Sequence, residues 1–170
     1  MFEQLEILGE FFEKGGPVVL LIFLVSIFMW LLIIERYWFY FHRYPLLRTK
    51  IVKKWKQRHD HTSWYATKIR EGFITELSVS LKHNLLPIKT LTSILPLLGL
   101  FGTVTAMISV FDVLNVFGTS NAKGMADGIS RALLSTAAGL ATSIVGIYFG
   151  ADLKKRAKEQ ELRVKELLTS

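Results

Sequence analysis

Three apolar stretches without a single charge, 17–34, 93–111 and 132–151, dominate the pattern of this chain. At about 1.5 Å per helical residue each approaches or matches the roughly 30 Å hydrocarbon core of a bilayer. Buried helices of soluble proteins rarely stay uncharged for so long, so the pattern predicts three transmembrane helices. A soluble protein with three buried helices is the alternative.

The flanking positions set the boundaries. Residues 1–16 read as an amphipathic helix on the outer membrane–water interface: Phe2, Leu5, Leu8 and Phe12 fall on one stripe and Glu3, Glu6, Glu10 and Glu13 on another. A short solvated lead-in is the plainer reading. Gly15-Gly16-Pro17 breaks the chain before the first span, 17–41, which closes in a run of aromatic residues and cations from Glu35 to Arg43 that suits a membrane interface. Residues 42–90 are basic but carry Ile69, Phe73, Leu77 and Leu81 at intervals of four, which predicts a small helical region rather than disorder. The second span covers 91–114, and Pro96 inside it is expected to bend the helix or to free a carbonyl for a partner. Residues 115–127 form a loop turning at Gly118-Thr119-Ser120-Asn121. The third span covers 128–151, and 152–170 continue as a helical tail.

Charge adds a topology. Of the 170 residues, 51% are hydrophobic and the net charge is +7. Twelve of the Lys and Arg residues lie in 36–89 and six more follow Asp152, whereas the N-terminal segment holds only Lys14 and the loop before the third span only Lys123. The positive-inside rule then places 36–89 and the C-terminus in the cytoplasm, and the N-terminus and the 115–127 loop outside. So distributed, the basic charge reports orientation rather than nucleic-acid binding. The start is acidic and no small-residue cleavage site follows the apolar run, so the first span is expected to stay in the mature protein.

Candidate chemistry sits inside the second and third spans. Gly102, Thr105, Ser109 and Asp112 share one face of the second, with Gly99, Thr103 and Ala106 beside it. Ala132, Ser135, Gly139, Thr142 and Gly146 follow a 3-4-3-4 spacing in the third, with Thr136, Ser143 and Gly150 recurring every seven. Two readings stand. Small residues let helices pack closely in lipid while hydroxyls bond across the interface, which suits Gly99, Gly102, Gly139, Gly146 and Gly150. Alternatively the hydroxyls of Thr103, Thr105, Ser109, Ser135, Thr136 and Thr142 line a path for water or an ion. No Asp, Glu, His or Lys occupies the centre of any span. Threonine bonds to water but does not take up and release a proton at ordinary pH. If the chain conducts protons, the carboxylate must therefore come from another polypeptide.

Enzyme chemistry finds no footing. There is no cysteine, no glycine-rich phosphate loop and no nucleophile elbow. His59 and His61 flank Asp60, but two imidazoles at i,i+2 without a cysteine read as a solvated loop, so no metal site and no cofactor is expected.

The second-span run Leu98-Gly99-Leu100-Phe101-Gly102-Thr103-Val104 with Phe111, and the third-span Ile129, Ala132-Leu133 and Thr136-Ala137-x-Gly139-Leu140, resemble the MotA/TolQ/ExbB proton-channel family, most of all its ExbB type. Gly15-Gly16-Pro17 and Glu35-Arg36 framing the first span fit as well, and the resemblance covers roughly residues 15–150. It implies an all-α, multi-pass protein of the bacterial inner membrane with three spans, the second and third extended into the cytoplasm, a periplasmic N-terminus and a cytoplasmic C-terminus. It further implies a homopentamer around a pore that holds an ExbD-like single-span partner, whose aspartate carries the proton. The proton-motive force then energises a TonB-like protein for transport across the outer membrane. Thr103 and Thr136 match the positions that line the pore near that aspartate. A TolQ-like subunit for envelope integrity, or a passive membrane scaffold, are the alternatives. Three departures stand out. Arg131 replaces a frequent glutamate, and reads either as an i,i+4 pair with Asp127 or, with Asp112, as a contact to the partner. Val145 replaces a proline, which predicts a straighter third helix, and Ala106 replaces a glycine. The chain is also short for an ExbB, which predicts reduced cytoplasmic contacts.

Overall fold

Seven-residue periodicity organises the long helices. In the first, the buried positions are Gly15, Val19, Ile22, Ser26, Met29, Ile33 and Arg36; in the fourth they are Ile88, Thr92, Leu95, Gly99, Gly102, Ala106 and Val110. Alternating steps of three and four keep one narrow stripe facing a neighbouring helix, and the rest of the surface stays apolar and open. The computed structural model describes residues 2–58, 60, 63–118 and 121–169, and for 2–14, 117 and 169 the backbone alone. Every element among the described residues is helical: α1 (Phe2–Trp38), a π-helical turn (Phe39–Arg43), α2 (Tyr44–Lys56), α3 (Trp64–Lys82), α4 (Leu85–Phe117) and α5 (Ala122–Thr169). Three helical runs, Gly15–Lys56, Trp64–Val116 and Ala122–Leu168, are long and apolar enough to cross a membrane. Only 22–28% of their most apolar windows is buried, so most of that surface needs lipid or further subunits to cover it.

The expected break before the first span is present. Gly16 takes φ 70°, a left-handed value that suits glycine, and Pro17 restarts the helix. The first helix continues past its span through the π-helical turn into α2, so it carries a helical extension as the other two do. The third begins at Ala122, earlier than the expected loop boundary at 127, because the Asn121 side chain caps it by accepting from Gly124 N at 3.1 Å. The proposed stripe Phe2, Leu5, Leu8 and Phe12, the histidines His59 and His61, and Thr119-Ser120 of the expected turn lie outside the described side chains.

The chain divides into two compact units, residues 1–30 with 89–147 and residues 31–88 with 148–170. The second has its own apolar core, in which Tyr44, Ile51 and Trp55 of α2 pack with Ala66, Leu77 and Leu81 of α3 and with Ala157, Val164 and Leu168 of α5. Arg36, 1% exposed, closes the end of α3: its Nη2 donates to the Ser80 and Leu81 carbonyls at 2.6 and 2.7 Å. Those carbonyls have no partner within the helix, and a cation favours the negative end of the helix dipole. The Tyr40 hydroxyl adds a bond to Leu81 O at 3.1 Å, and the guanidinium lies 4.8 Å from the Phe39 ring centroid. Beside it Asn84, at φ 60°, donates to Glu35 Oε2 at 2.7 Å. Glu35 and Arg36 thus bracket the turn between α3 and α4. Further along, Lys82 pairs with Glu161 at 2.9 Å, and that bond holds the Glu161 carboxyl below its ordinary range. The Tyr37 hydroxyl and Arg156 Nε both donate to Asp152, lowering its carboxyl in the same way.

Candidate functional site

Within the first unit α4 and α5 meet backbone to backbone. A Cβ on Gly139 would stand 2.6 Å from the Leu95 carbonyl oxygen and 3.0 Å from Gly99 Cα. One on Gly99 would stand 3.1 Å from both Ser135 O and Thr136 Cα. Gly102 faces the Ser135 side chain with no room for a methyl, and a Cβ on Gly146 would stand 2.6 Å from Met29 Sδ and 2.8 Å from Thr92 Oγ1. A Cβ on Gly150, in the second unit, would meet Ile88 at an ordinary 3.7 Å.

Proline supplies one bond of this contact. Pro96 has no N–H, so the carbonyl four residues earlier, on Thr92, lacks its helical donor. The buried Ser143 hydroxyl donates to that carbonyl at 2.9 Å. The freed carbonyl expected of Pro96 thus finds a partner. A second crossing point is the Gly99 carbonyl, which accepts from Thr136 Oγ1 at 3.2 Å and from Ser135 Oγ at 3.4 Å. The single Ser135 hydroxyl hydrogen is shared between that carbonyl and Ala132 O, at a shorter 2.9 Å, and the residue is 1% exposed, so the structure places it between the helices.

Among the described residues another set of hydroxyls bonds only within its own helix. Thr103 donates to Leu100 O at 2.7 Å, Thr105 to Gly102 O at 3.0 Å, Ser109 to Thr105 O at 3.2 Å and Thr142 to Ala138 O at 2.8 Å. Ser109 is exposed and the three threonines are half-buried. Thr136 is half-buried as well, at the edge of the crossing.

Arg131 and Asp112 fall elsewhere. Asp112 is exposed near the end of α4. Arg131 lines a cleft of about 400 Å³ with the Gly15-Gly16-Pro17 break of α1 and with Gly102, Thr105 and Ser109 of α4, a lining that does not include Thr103, Thr136 or Thr142. Among the described residues no ion pair joins Arg131 to Asp127, so the expected i,i+4 pair is absent. Sequence reasoning missed Gly128, where a Cβ would collide with Val110. Its signal was available: it continues the third-span stripe one step of four before Ala132.

Comparison with known proteins gives the family. An ExbB-like biopolymer transport protein of Helicobacter pylori is 28% identical over 109 residues, covering 64% of this chain and 58% of the relative. Two ExbB-like proteins of Synechocystis are 41% identical over 63 residues (35% of this chain, 25% of the relative) and 37% over 76 residues (44% and 36%). The chain thus spans 58% of the length of the Helicobacter relative. No solved structure matches it significantly. Residues 44–166 match the description MotA/TolQ/ExbB proton channel family, a segment that takes in all of α4 and nearly all of α5. With nearly three quarters of the chain inside that match, the protein belongs to the MotA/TolQ/ExbB proton channel family.

Proposed function

We propose that this chain is the ring-forming subunit of an inner-membrane, proton-driven motor, and that a second polypeptide supplies the proton-carrying carboxylate. One observation carries the reading: a member of a proton channel family has no Asp, Glu, His or Lys within its three charge-free stretches. A proton cannot cross about 30 Å of hydrocarbon without a titrating group or a water path. The division of labour is a homopentamer of this chain around an ExbD-like pair of single-span helices, with Thr103 and Thr136 facing the partner carboxylate. The basic segments lie in the cytoplasm and the N-terminus in the periplasm, as their charge distribution supports. Each proton crossing yields about 2.3 kcal/mol per 100 mV, which moves the partner helices and, through them, a TonB-like protein that drives transport across the outer membrane.

The test is co-expression with a carboxylate-bearing single-span partner, followed by the mass of the complex in nanodiscs and proton flux in proteoliposomes. A five-to-two assembly that conducts, and that falls silent when the partner carboxylate becomes an amide, supports the reading. Conduction by this chain alone, or a stable ring that never retains a partner, sinks it in favour of a self-sufficient channel or a passive scaffold. A TolQ-like role in envelope integrity shares this mechanism, and is separated by whether deletion abolishes nutrient uptake or makes the envelope leak.

A further inference from the structure

We propose that the cleft between α1, α4 and α5 binds an anionic phospholipid, with its phosphate on Arg131 and one acyl chain along Val18, Leu21 and Phe101. All the residues concerned lie in the first unit. The cleft has the layout of an amphiphile. Arg131 directly precedes the charge-free stretch 132–151, and Pro17, on the opposite wall, opens the stretch 17–34. Both mark the level at which apolar sequence gives way to polar, where headgroup phosphates lie. From Ser109 to Phe101 the α4 wall then descends roughly 12 Å along the helix into the apolar stretch.

The chemistry of the walls selects the occupant. The Arg131 guanidinium matches a phosphate in two-pronged geometry. Among the described residues it has no ion-pair partner that would compete. Among the described residues no Asp or Glu lines the cleft, so none of them receives the ammonium group of a zwitterionic lipid. Thr105 and Ser109 donate their hydroxyl hydrogens back to α4, so that wall presents no free hydroxyl donor to a chain lying along it. Ala106, which carries only a methyl, lines the cleft without filling it.

The experiment uses the assembled complex in nanodiscs of matched acyl chains, with phosphatidylglycerol or phosphatidylcholine, and counts lipids retained per chain by native mass spectrometry. Wild type is expected to retain phosphatidylglycerol about fivefold better than phosphatidylcholine, the preference that one interfacial arginine confers. Arg131→Gln erases the difference and Arg131→Lys keeps most of it. Equal retention of the two lipids by wild type, or an unchanged preference in Arg131→Gln, overturns the proposal. Should Arg131→Gln fail to assemble, a photocrosslinker on Ser109→Cys in the otherwise native chain decides. Crosslinks to lipid support the site. Crosslinks to a neighbouring copy or to a partner helix mean that protein fills the cleft, and overturn it.

Discussion

Replacing Gly139 by alanine tests whether the α4–α5 crossing holds this fold together. The added methyl would stand 2.6 Å from the Leu95 carbonyl oxygen, 3.0 Å from Gly99 Cα and 3.1 Å from Gly99 N. All three are backbone atoms, which cannot turn aside as a flexible side chain can. Restoring an ordinary contact of 3.4 Å to Leu95 O requires an opening of about 0.8 Å between the helices. That movement takes the Thr136 and Ser135 bonds to Gly99 O, now 3.2 and 3.4 Å, beyond hydrogen-bonding range. Two interhelical bonds in a membrane are worth about 0.6 kcal/mol each, and forcing a methyl into a packed contact costs about 1–3 kcal/mol. Alanine returns about 1 kcal/mol of helix propensity, so the net destabilisation is about 1–3 kcal/mol. Gly72→Ala in α3 is the control: a Cβ there meets nothing within 4 Å, so stability should rise by about 0.5–1 kcal/mol. The assay is reversible unfolding in mixed micelles with rising denaturing detergent, followed by tryptophan fluorescence. If Gly139→Ala is as stable as wild type, the close crossing is not what holds the unit.

Three further outcomes are expected. Thr103→Val and Thr136→Val should leave the mass of the complex unchanged while lowering proton flux about tenfold each, the worth of one lost hydrogen bond in the conducting state; unchanged flux in both would favour the scaffold. Arg36→Met should strip the Ser80 carbonyl of its donor and cost about 2–4 kcal/mol, read as faster hydrogen exchange in the last turn of α3; exchange as slow as wild type would refute the capping role. Glu161 has its carboxyl pKa lowered on folding, so it adds stability above the ordinary carboxylate range and loses it as pH falls through the lowered value. The pair is partly exposed and worth under about 1 kcal/mol, so exchange near Lys82 should rise only on acidification below about pH 4.5 and Glu161→Gln should abolish that dependence; a pH effect that survives the substitution would assign it elsewhere.

What could be read from sequence followed from periodicity and small residues. The stripe through Gly139 meets α4 at Gly99 and Gly102 because only glycine permits backbones to touch, whereas Thr105, Ser109 and Asp112 of the stripe through Gly102 lie away from that crossing. The break at Gly16-Pro17 was visible because proline and glycine constrain the chain locally. What stayed hidden depends on distance along the chain. Nothing near Arg36 announces that it binds a helix-end carbonyl 45 residues later, since the requirement belongs to the Leu81 carbonyl and not to the arginine. The Asp127–Arg131 pair shows the opposite failure: helical spacing allowed it, but Arg131 lines a cleft against another helix instead. Periodicity also could not tell Ser135 from Thr136, neighbours of which the first is buried and the second half-buried.

The hydroxyls sort by what bonding capacity they retain, and that bears on what they can recognise. A hydroxyl has one hydrogen to give and two lone pairs. Ser143 spends its hydrogen on the Thr92 carbonyl across the crossing, and burial leaves it no access to a ligand. Thr103 spends its hydrogen on Leu100 O and Thr136 on Gly99 O, yet both stay half-buried rather than enclosed. Such groups offer lone pairs only. They suit a donor: a water, or a carboxylic acid while it holds its proton. An ionised carboxylate has nothing to donate and meets those lone pairs without a bond. Under the proposed function this asymmetry gives the threonines a reason to be threonine. They favour the partner's carboxyl in its protonated form, which raises its pKa inside the ring and couples proton release to leaving the site. Serine at either position keeps the hydroxyl and should retain flux where valine does not. If serine fails as valine does, the methyl rather than the lone pair is what the position requires.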